Sequence, residues 1–218
     1  LLLQTFRPGY AIEATNYFGE PPGVHRQHVA FEGFDGTAHE FDVDYHSVNI
    51  ESMKLPFDDA SMDVVVYGEV LEHMTNDPWY TIHEINRVLK SGCTLVLTTP
   101  NVARLENVVA LIQGRNLYDP YSRYGPYGRH NREYTRDELH RLLVHGGFEA
   151  EISYTANVHP DHPFGDVDWA ALQASIGGIA HRERDLGQYL FTRWRKVAEG
   201  DPRRPAWLYR SYRAEDLA

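Results

Sequence analysis

The chain has 218 residues, enough for one full-sized core, with 42% hydrophobic residues and a formal net charge of −10. That acidic balance excludes a general phosphate-backbone binder, so no nucleic-acid partner is expected. A single cysteine, Cys93, excludes internal disulfides, no apolar run approaches the roughly 20 residues of a membrane helix, and no basic-then-apolar leader opens the sequence, so a cytoplasmic protein without a membrane partner is expected.

In chain order, Leu1 to Phe6 reads as the tail of a helix closed by Pro8-Gly9. Tyr10-Ala11-Ile12-Glu13-Ala14 reads as a short buried strand ending in an acid. Residues 17–40, rich in Gly, Pro and His, are expected to form a loop. Val43 to Ile50 supplies the next strand and leads into Asn49-Ile50-Glu51. Met62 to Tyr67 has the pattern of a parallel strand with Val64, Val65 and Val66 buried on both faces.

Asp77-Pro78 starts a helix, an N-cap acid followed by Pro at the first helical position. Trp79, Ile82, Ile85, Val88 and Leu89 form its core stripe, and Gly92 suits its exit. Thr94 to Asn101 is a second buried run, so strand, helix and strand make a parallel crossover. Residues 102–114 look helical, with Leu105, Val108, Val109 and Ile112 on one side. Residues 115–134, dense in Tyr, Arg, Gly and Pro, break the pattern. Thr135-x-x-Glu138 is a capping box for a helix ending at Gly146-Gly147. A strand follows from Phe148 to Tyr154, then an acidic, proline-containing stretch over 156–186 with room for a short helix. Tyr189 to Trp194 alternates as an antiparallel edge strand, and residues 199–218 read as an irregular tail to a domain spanning 1–198.

In parallel sheets the ligand sits beyond the carboxyl ends of the strands, which puts Tyr67 to His73 and Thr98 to Asn101 at the edge of a pocket. Around them, Asn49-Ile50-Glu51, Pro56-Phe57, Met62-Asp63-Val64-Val65, Glu69-Val70-Leu71-Glu72-His73, Asp77-Pro78, Arg87-Val88-Leu89-Lys90 and Thr98-Thr99-Pro100-Asn101 follow one another at consistent spacing. This ordered set resembles the type 11-like branch of the class I S-adenosylmethionine-dependent methyltransferases, over about residues 10–155. The resemblance implies an α/β fold: a Rossmann-like, doubly wound, mainly parallel sheet of roughly seven strands, with one antiparallel strand near the end. The family's first strand and glycine-rich turn have no counterpart here, and the chain opens Leu1-Leu2-Leu3-Gln4 without Met, so an N-terminally truncated segment is expected. Ser91-Gly92-Cys93 departs from the family's usual Pro-Gly-Gly.

The same resemblance implies S-adenosylmethionine as cofactor and gives the candidates their roles. Glu13 would accept hydrogen bonds from the two ribose hydroxyls; otherwise it is an exposed acid at a strand end. Asn49, Ile50 and Glu51 would hold the adenine, with Asn49 alternatively organising a turn. Gly68 permits close backbone approach, and Glu69 would meet the ammonium of the methionine moiety or face water at a helix start. His73, and His130 in the aromatic loop, are candidate general bases for a hydroxyl acceptor. The segment 115–134 is a candidate substrate lid. Its Arg129-His130-Asn131-Arg132-Glu133-Tyr134-Thr135 is similar to a string in methyltransferases of surface-glycan assembly, which implies a saccharide.

Of the twelve histidines, the pairs His25/His28 and His159/His162 read as loop residues, and no metal site is assigned. The expected function is O-methylation of a small molecule or saccharide. The alternative is a catalytically inactive methyltransferase-like binding or scaffold domain.

Overall fold

A computed structural model of the chain describes residues 9, 11–17, 19–33, 35–159 and 167–217. The expected helix tail at Leu1–Phe6, and Tyr10, Asp161, His162 and Asp166, lie outside the described residues. The chain divides into two units, Leu1–Pro56 and Phe57–Ala218.

The first unit holds a three-stranded sheet in the order β1-β3-β2, with β1 at Thr15–Asn16, β2 at Gly23–Glu32 and β3 at Ala38–Ser47. The short strand expected at Tyr10–Ala14 instead starts at Thr15, parallel to β3, with Ala14 accepting from the His46 N–H at 2.8 Å. The loop expected over 17–40 is corrected: Gly23–Glu32 within it is β2, antiparallel to β3 from Gly23↔Ser47 to Glu32↔Ala38. Asp35-Gly36 turns the hairpin, with Gly36 at φ 78° and the Asp35 carboxylate accepting from Thr37 N–H at 3.0 Å. Polar cross-strand pairs hold its open face. Arg26 donates to Asp44 at 2.6 Å and His28 meets Asp42 at 3.1 Å, while on the opposite face Phe31 stacks on His39 at 5.0 Å. The expected strand Val43–Ile50 is displaced toward the N-terminus, so Asn49-Ile50-Glu51 lies in the turn beyond it.

In the second unit β4 (Met62–Gly68) leads through α1 (Pro78–Val88) to β5 (Leu89–Pro100), parallel to β4 as the crossover requires. Then follow α2 (Leu105–Ile112), α3 (Arg136–His145), β6 (Phe148–Ala156), α4 (Trp169–Ala180) and β7 (Tyr189–Lys196). The four-stranded sheet runs β4-β5-β7-β6. Because β7 is antiparallel to both β5 and β6, the strands β4, β5 and β6 share one direction and β7 opposes them.

Three local expectations change. The strand at Tyr189 is interior, paired on both sides, because β6 takes the edge. β4 is the opposite edge, so Val64 and Val66 are 48% and 61% exposed and not buried on both faces. Gly92 does not end the helix, since β5 begins at Leu89 directly after it. Instead Ser91-Gly92-Cys93 lies where the β4–β5 register jumps from Met62↔Leu89 to Val64↔Thr94, with Gly92 at φ 78°.

Trp79, Ile82, Ile85 and Val88 of α1 are buried as the stripe predicts, with Leu95 and Leu97 of β5, Leu139, Leu142 and Leu143 of α3, and Leu190 and Trp194 of β7. Asp77 caps α1, its side chain accepting from Tyr80 N–H at 3.1 Å. Thr135 and Glu138 close the capping box on α3. Among the described residues no helix is long and apolar enough to cross a membrane.

The seam between α1, the end of α3 and the end of β7 is polar but closed. Asn86 donates to the Gly146 and Ala198 carbonyls at 2.7 and 3.0 Å, and buried Lys196 donates to the Asn86 and Leu89 carbonyls at 2.8 and 3.2 Å. Gly147 sits here at φ 81°, and a Cβ on it would lie 2.3 Å from the Ala198 carbonyl oxygen. Gly147→Ala is therefore expected to destabilise this unit by about 2 kcal/mol or more, from left-handed strain plus a backbone clash, measurable by urea denaturation.

Candidate active site

The site grows from the carboxyl ends of β4 and β5. Gly68 ends β4 against Thr98, where a Cβ would come within 3.1 Å of the Thr98 hydroxyl. The next residue, Glu69, holds a left-handed backbone at φ 54°, and its N–H donates to the Thr98 carbonyl at 2.9 Å. A non-glycine residue at positive φ costs on the order of 1 kcal/mol and persists where the surroundings fix it. The chain then makes a short 3-10 turn, Leu71–His73. Glu69 precedes this turn and therefore does not share a helical face with His73.

The 3-10 turn is gripped by the loop ahead of α3. The Glu72 carbonyl accepts from the Asn131 and Arg132 N–H groups at 2.8 and 3.2 Å, and the Asn131 side chain donates to the His73 carbonyl at 3.0 Å. His73 Nδ1 lies 2.9 Å from the Arg129 carbonyl. A carbonyl only accepts, so Nδ1 carries the proton and Nε2 keeps its lone pair in the neutral ring. These contacts bring the two candidate bases together, with the rings of His73 and His130 5.1 Å apart and edge to face.

His130 is itself braced. Its N–H donates to Asp119 at 2.9 Å and its Nδ1 meets the Glu133 carboxylate at 3.0 Å. The Glu133 hydrogen bond raises the His130 imidazole above its usual range. Burial pushes Glu133 up, but the His130 and Arg104 hydrogen bonds outweigh it and leave this carboxyl below its usual range. Within the stretch 129–135, Tyr134 is buried, Thr135 caps α3 and Arg132 pairs with Glu138 at 2.5 Å, so those three positions build local structure.

Sequence reasoning gave no role to Glu72. It is fully buried, and its Oε2 accepts from the Thr99 hydroxyl at 2.9 Å. Among the described residues its Oε1 has no hydrogen-bond partner, and it stands 3.8 Å from His73 Nε2. Burial, foremost, raises this carboxyl above the usual range. The only signal in the sequence was a carboxylate between Leu71 and His73, too short a pattern to show which way it faces.

His130 lines two neighbouring clefts. One, of about 490 Å³, is walled by Arg104, Asn107, Glu133, Gln188 and Tyr189. The other, of about 580 Å³, is walled by Asn116, Asp119, Tyr121 and Arg129. Over 115–134 three tyrosines lie outside, Tyr118, Tyr121 and Tyr124 at 83%, 94% and 83% exposed, whereas Tyr134 is buried, and Arg129 stacks 5.0 Å over the Tyr121 ring.

The remaining candidates belong to the first unit. Glu13, half exposed, meets His46 Nε2 at 3.1 Å. Asn49 organises its turn: its side chain accepts from the Glu51 N–H at 3.1 Å, and its carbonyl accepts from Ser52 and Met53. Glu51 is buried and Ile50 half-buried in the same turn.

Residues 24–97 match a family described as a methyltransferase domain. A relative from Mycobacterium tuberculosis, named "Probable S-adenosylmethionine-dependent methyltransferase", is 35% identical over 96 residues, 44% of this chain and 30% of that protein. A relative of similar name from Mycolicibacterium smegmatis is 34% identical over 110 residues, 50% of this chain and 36% of its own length. The matched stretch thus spans about a third of these curated relatives. Among solved structures, a methyltransferase from Archaeoglobus fulgidus is similar at 14% identity and a TM-score of 0.47, covering 70% of this chain and 67% of that one. One from Thermotoga maritima, titled a possible histamine N-methyltransferase, is similar at 18% identity and a TM-score of 0.46, covering 70% and 63%.

Proposed function

We propose that this chain, whose residues 24–97 match the methyltransferase-domain family, is the catalytic part of a class I S-adenosylmethionine-dependent methyltransferase acting on a hydroxyl of a small molecule or saccharide. The observation that carries the acceptor class is the contact of His73 with His130, which lines two clefts walled by Arg, Asn, Asp and Tyr side chains. Methyl transfer forms an oxygen–carbon bond as the carbon–sulfur bond breaks. The electron pair returns to the sulfonium sulfur, and the hydroxyl proton needs an acceptor. An imidazole fixed through Nδ1 offers Nε2 for that proton, and Glu133 stabilises the imidazolium that results at His130.

On the donor side, Glu13 is assigned to the ribose, Asn49, Ile50 and Glu51 to the adenine, and Gly68 with Glu69 to the methionine end. Gly68 and the strained Glu69 support this, since backbone held in a sparse conformation beside a strand end suits ligand approach. The exposed tyrosines of 115–134 suit stacking on a sugar ring, which supports a lid over the acceptor. A cytoplasmic location belongs to the same proposal, on the strength of a single cysteine.

Calorimetric titration with S-adenosylhomocysteine tests the donor half. Saturable one-to-one binding, absent with NAD, is the expected result. A folded chain that binds neither, in this length or extended at its N-terminus, would leave the non-catalytic scaffold in place of the enzyme.

A further inference from the structure

Glu72, His73 and His130 each present one ligand atom within 4.8 Å of the other two. Glu72 Oε1 is wholly buried without a hydrogen-bond partner among the described residues, and His73 Nε2 is 3.8 Å away. That gap is too long for a hydrogen bond from either side, so moving a proton between the two does not satisfy the oxygen. An unpartnered buried carboxylate oxygen costs free energy and calls for an occupant. Ligand atoms on one transition-metal ion stand about 3 to 3.5 Å apart, given bonds of roughly 2.0 to 2.2 Å, so a closure of about 1 Å brings all three donors onto one ion.

The supports around the donors match those of metal ligands. His73 is held through Nδ1 by the Arg129 carbonyl, His130 through Nδ1 by the Glu133 carboxylate, and Glu72 through Oε2 by the Thr99 hydroxyl. Metal-bound imidazoles characteristically give their second nitrogen to a carbonyl or carboxylate, which fixes the tautomer and the ring plane. The turn carrying Glu72 and His73 is tied to the loop carrying His130 by the Asn131 bonds to Glu72 and His73. The cluster is therefore fastened before any ion arrives.

We propose that Glu72, His73 and His130 form a binding site for a divalent transition-metal ion. Two imidazoles and one carboxylate leave coordination positions open, and such a set suits Mn, Fe, Co or Zn better than Mg or Ca. The site itself needs no particular reaction. Its catalytic use rests on the methyltransferase reading: an acceptor hydroxyl on an open position would be acidified by the ion, relieving the imidazoles of the proton.

Cobalt(II) titration of the folded chain, read by its visible absorption and by equilibrium dialysis, tests the site. One equivalent is expected to bind with d–d bands of a nitrogen–oxygen environment. His130→Gln and Glu72→Gln should each weaken binding by at least about tenfold, whereas His28→Gln on the exposed hairpin should not. His130 is partly exposed, so its variant is expected to fold even if the buried Glu72 variant does not, and near-ultraviolet circular dichroism checks both. No cobalt uptake by the folded wild type, or equal uptake by His130→Gln, overturns the site. Cobalt binding without S-adenosylhomocysteine binding keeps the site and removes its catalytic use. S-adenosylhomocysteine binding without cobalt uptake overturns the site and leaves the methyltransferase reading standing.

Discussion

Asp77→Ala is expected to cost the second unit about 4 kcal/mol, because one carboxylate serves the start of α1 and the C-terminal tail together. Its Oδ1 accepts from Tyr80 N–H at 3.1 Å and from the Tyr209 hydroxyl at 2.5 Å, while Oδ2 accepts two bonds from Arg204 at 2.9 and 2.6 Å. The Tyr209 hydroxyl in turn accepts from Trp79 N–H at 3.0 Å. Loss of the cap accounts for about 1 kcal/mol. The rest comes from leaving a guanidinium and a phenol, both half-buried, without their acceptor. Burial, with the Asp77 hydrogen bond, pushes the Tyr209 phenol well above its usual range, so it stays a neutral donor throughout ordinary pH. Asp77→Asn keeps a capping oxygen and should lose about half as much. Urea midpoints for the three proteins check the order; equal stability of wild type and Asp77→Ala would mean the tail is not fastened there. The irregular tail expected from the sequence is thus a strap, with Trp207 also lying 4.5 Å under the Arg141 guanidinium.

What could be read in advance follows the range of the interaction. Asp77-Pro78 and Thr135-x-x-Glu138 are complete signals within one turn, and both helices start where those residues put them. The valines of β4 mark a strand, but whether a strand is an edge depends on sheet order, which no local window contains. For that reason Val64 and Val66 were misplaced inward and β7 outward. β2 was missed for a related cause. Its alternation is largely polar, and its meaning appears only when Arg26 is set opposite Asp44 and His28 opposite Asp42. The Asp35-Gly36 turn was the local clue, masked by glycine, proline and histidine scattered on either side.

The site shows the same division. His73 was legible from its motif and His130 from its loop, but their contact depends on the Glu72 carbonyl receiving the Asn131 and Arg132 N–H groups. The burial of Glu72 depends on Thr99, a strand away, and could not be read from Glu69-Val70-Leu71-Glu72-His73 alone. Asn49 illustrates the opposite outcome: the turn role weighed for it in the sequence is present in the structure, beside the adenine role proposed for its segment.

His130→Ala is expected to lower methyl transfer by about 100-fold or more while leaving S-adenosylhomocysteine affinity within about twofold. The reason is placement. His130 stands at the junction of the two clefts, on the acceptor side, and is not among the residues assigned to the donor. Its removal leaves Glu133 paired with Arg104, so a gross structural loss is not expected. Glu133→Gln keeps an acceptor for Nδ1 but removes the charge that stabilises a protonated ring, and should cost about tenfold. Donor turnover with any simple sugar or alcohol that the wild type accepts provides the rate. Added imidazole separates the two ways in which His130 could serve. Partial rescue of His130→Ala by free imidazole without metal points to a proton acceptor. Rescue that needs added manganese or cobalt points to a ligand. A His130→Ala variant at full rate would remove His130 from the chemistry and return the role to His73 alone.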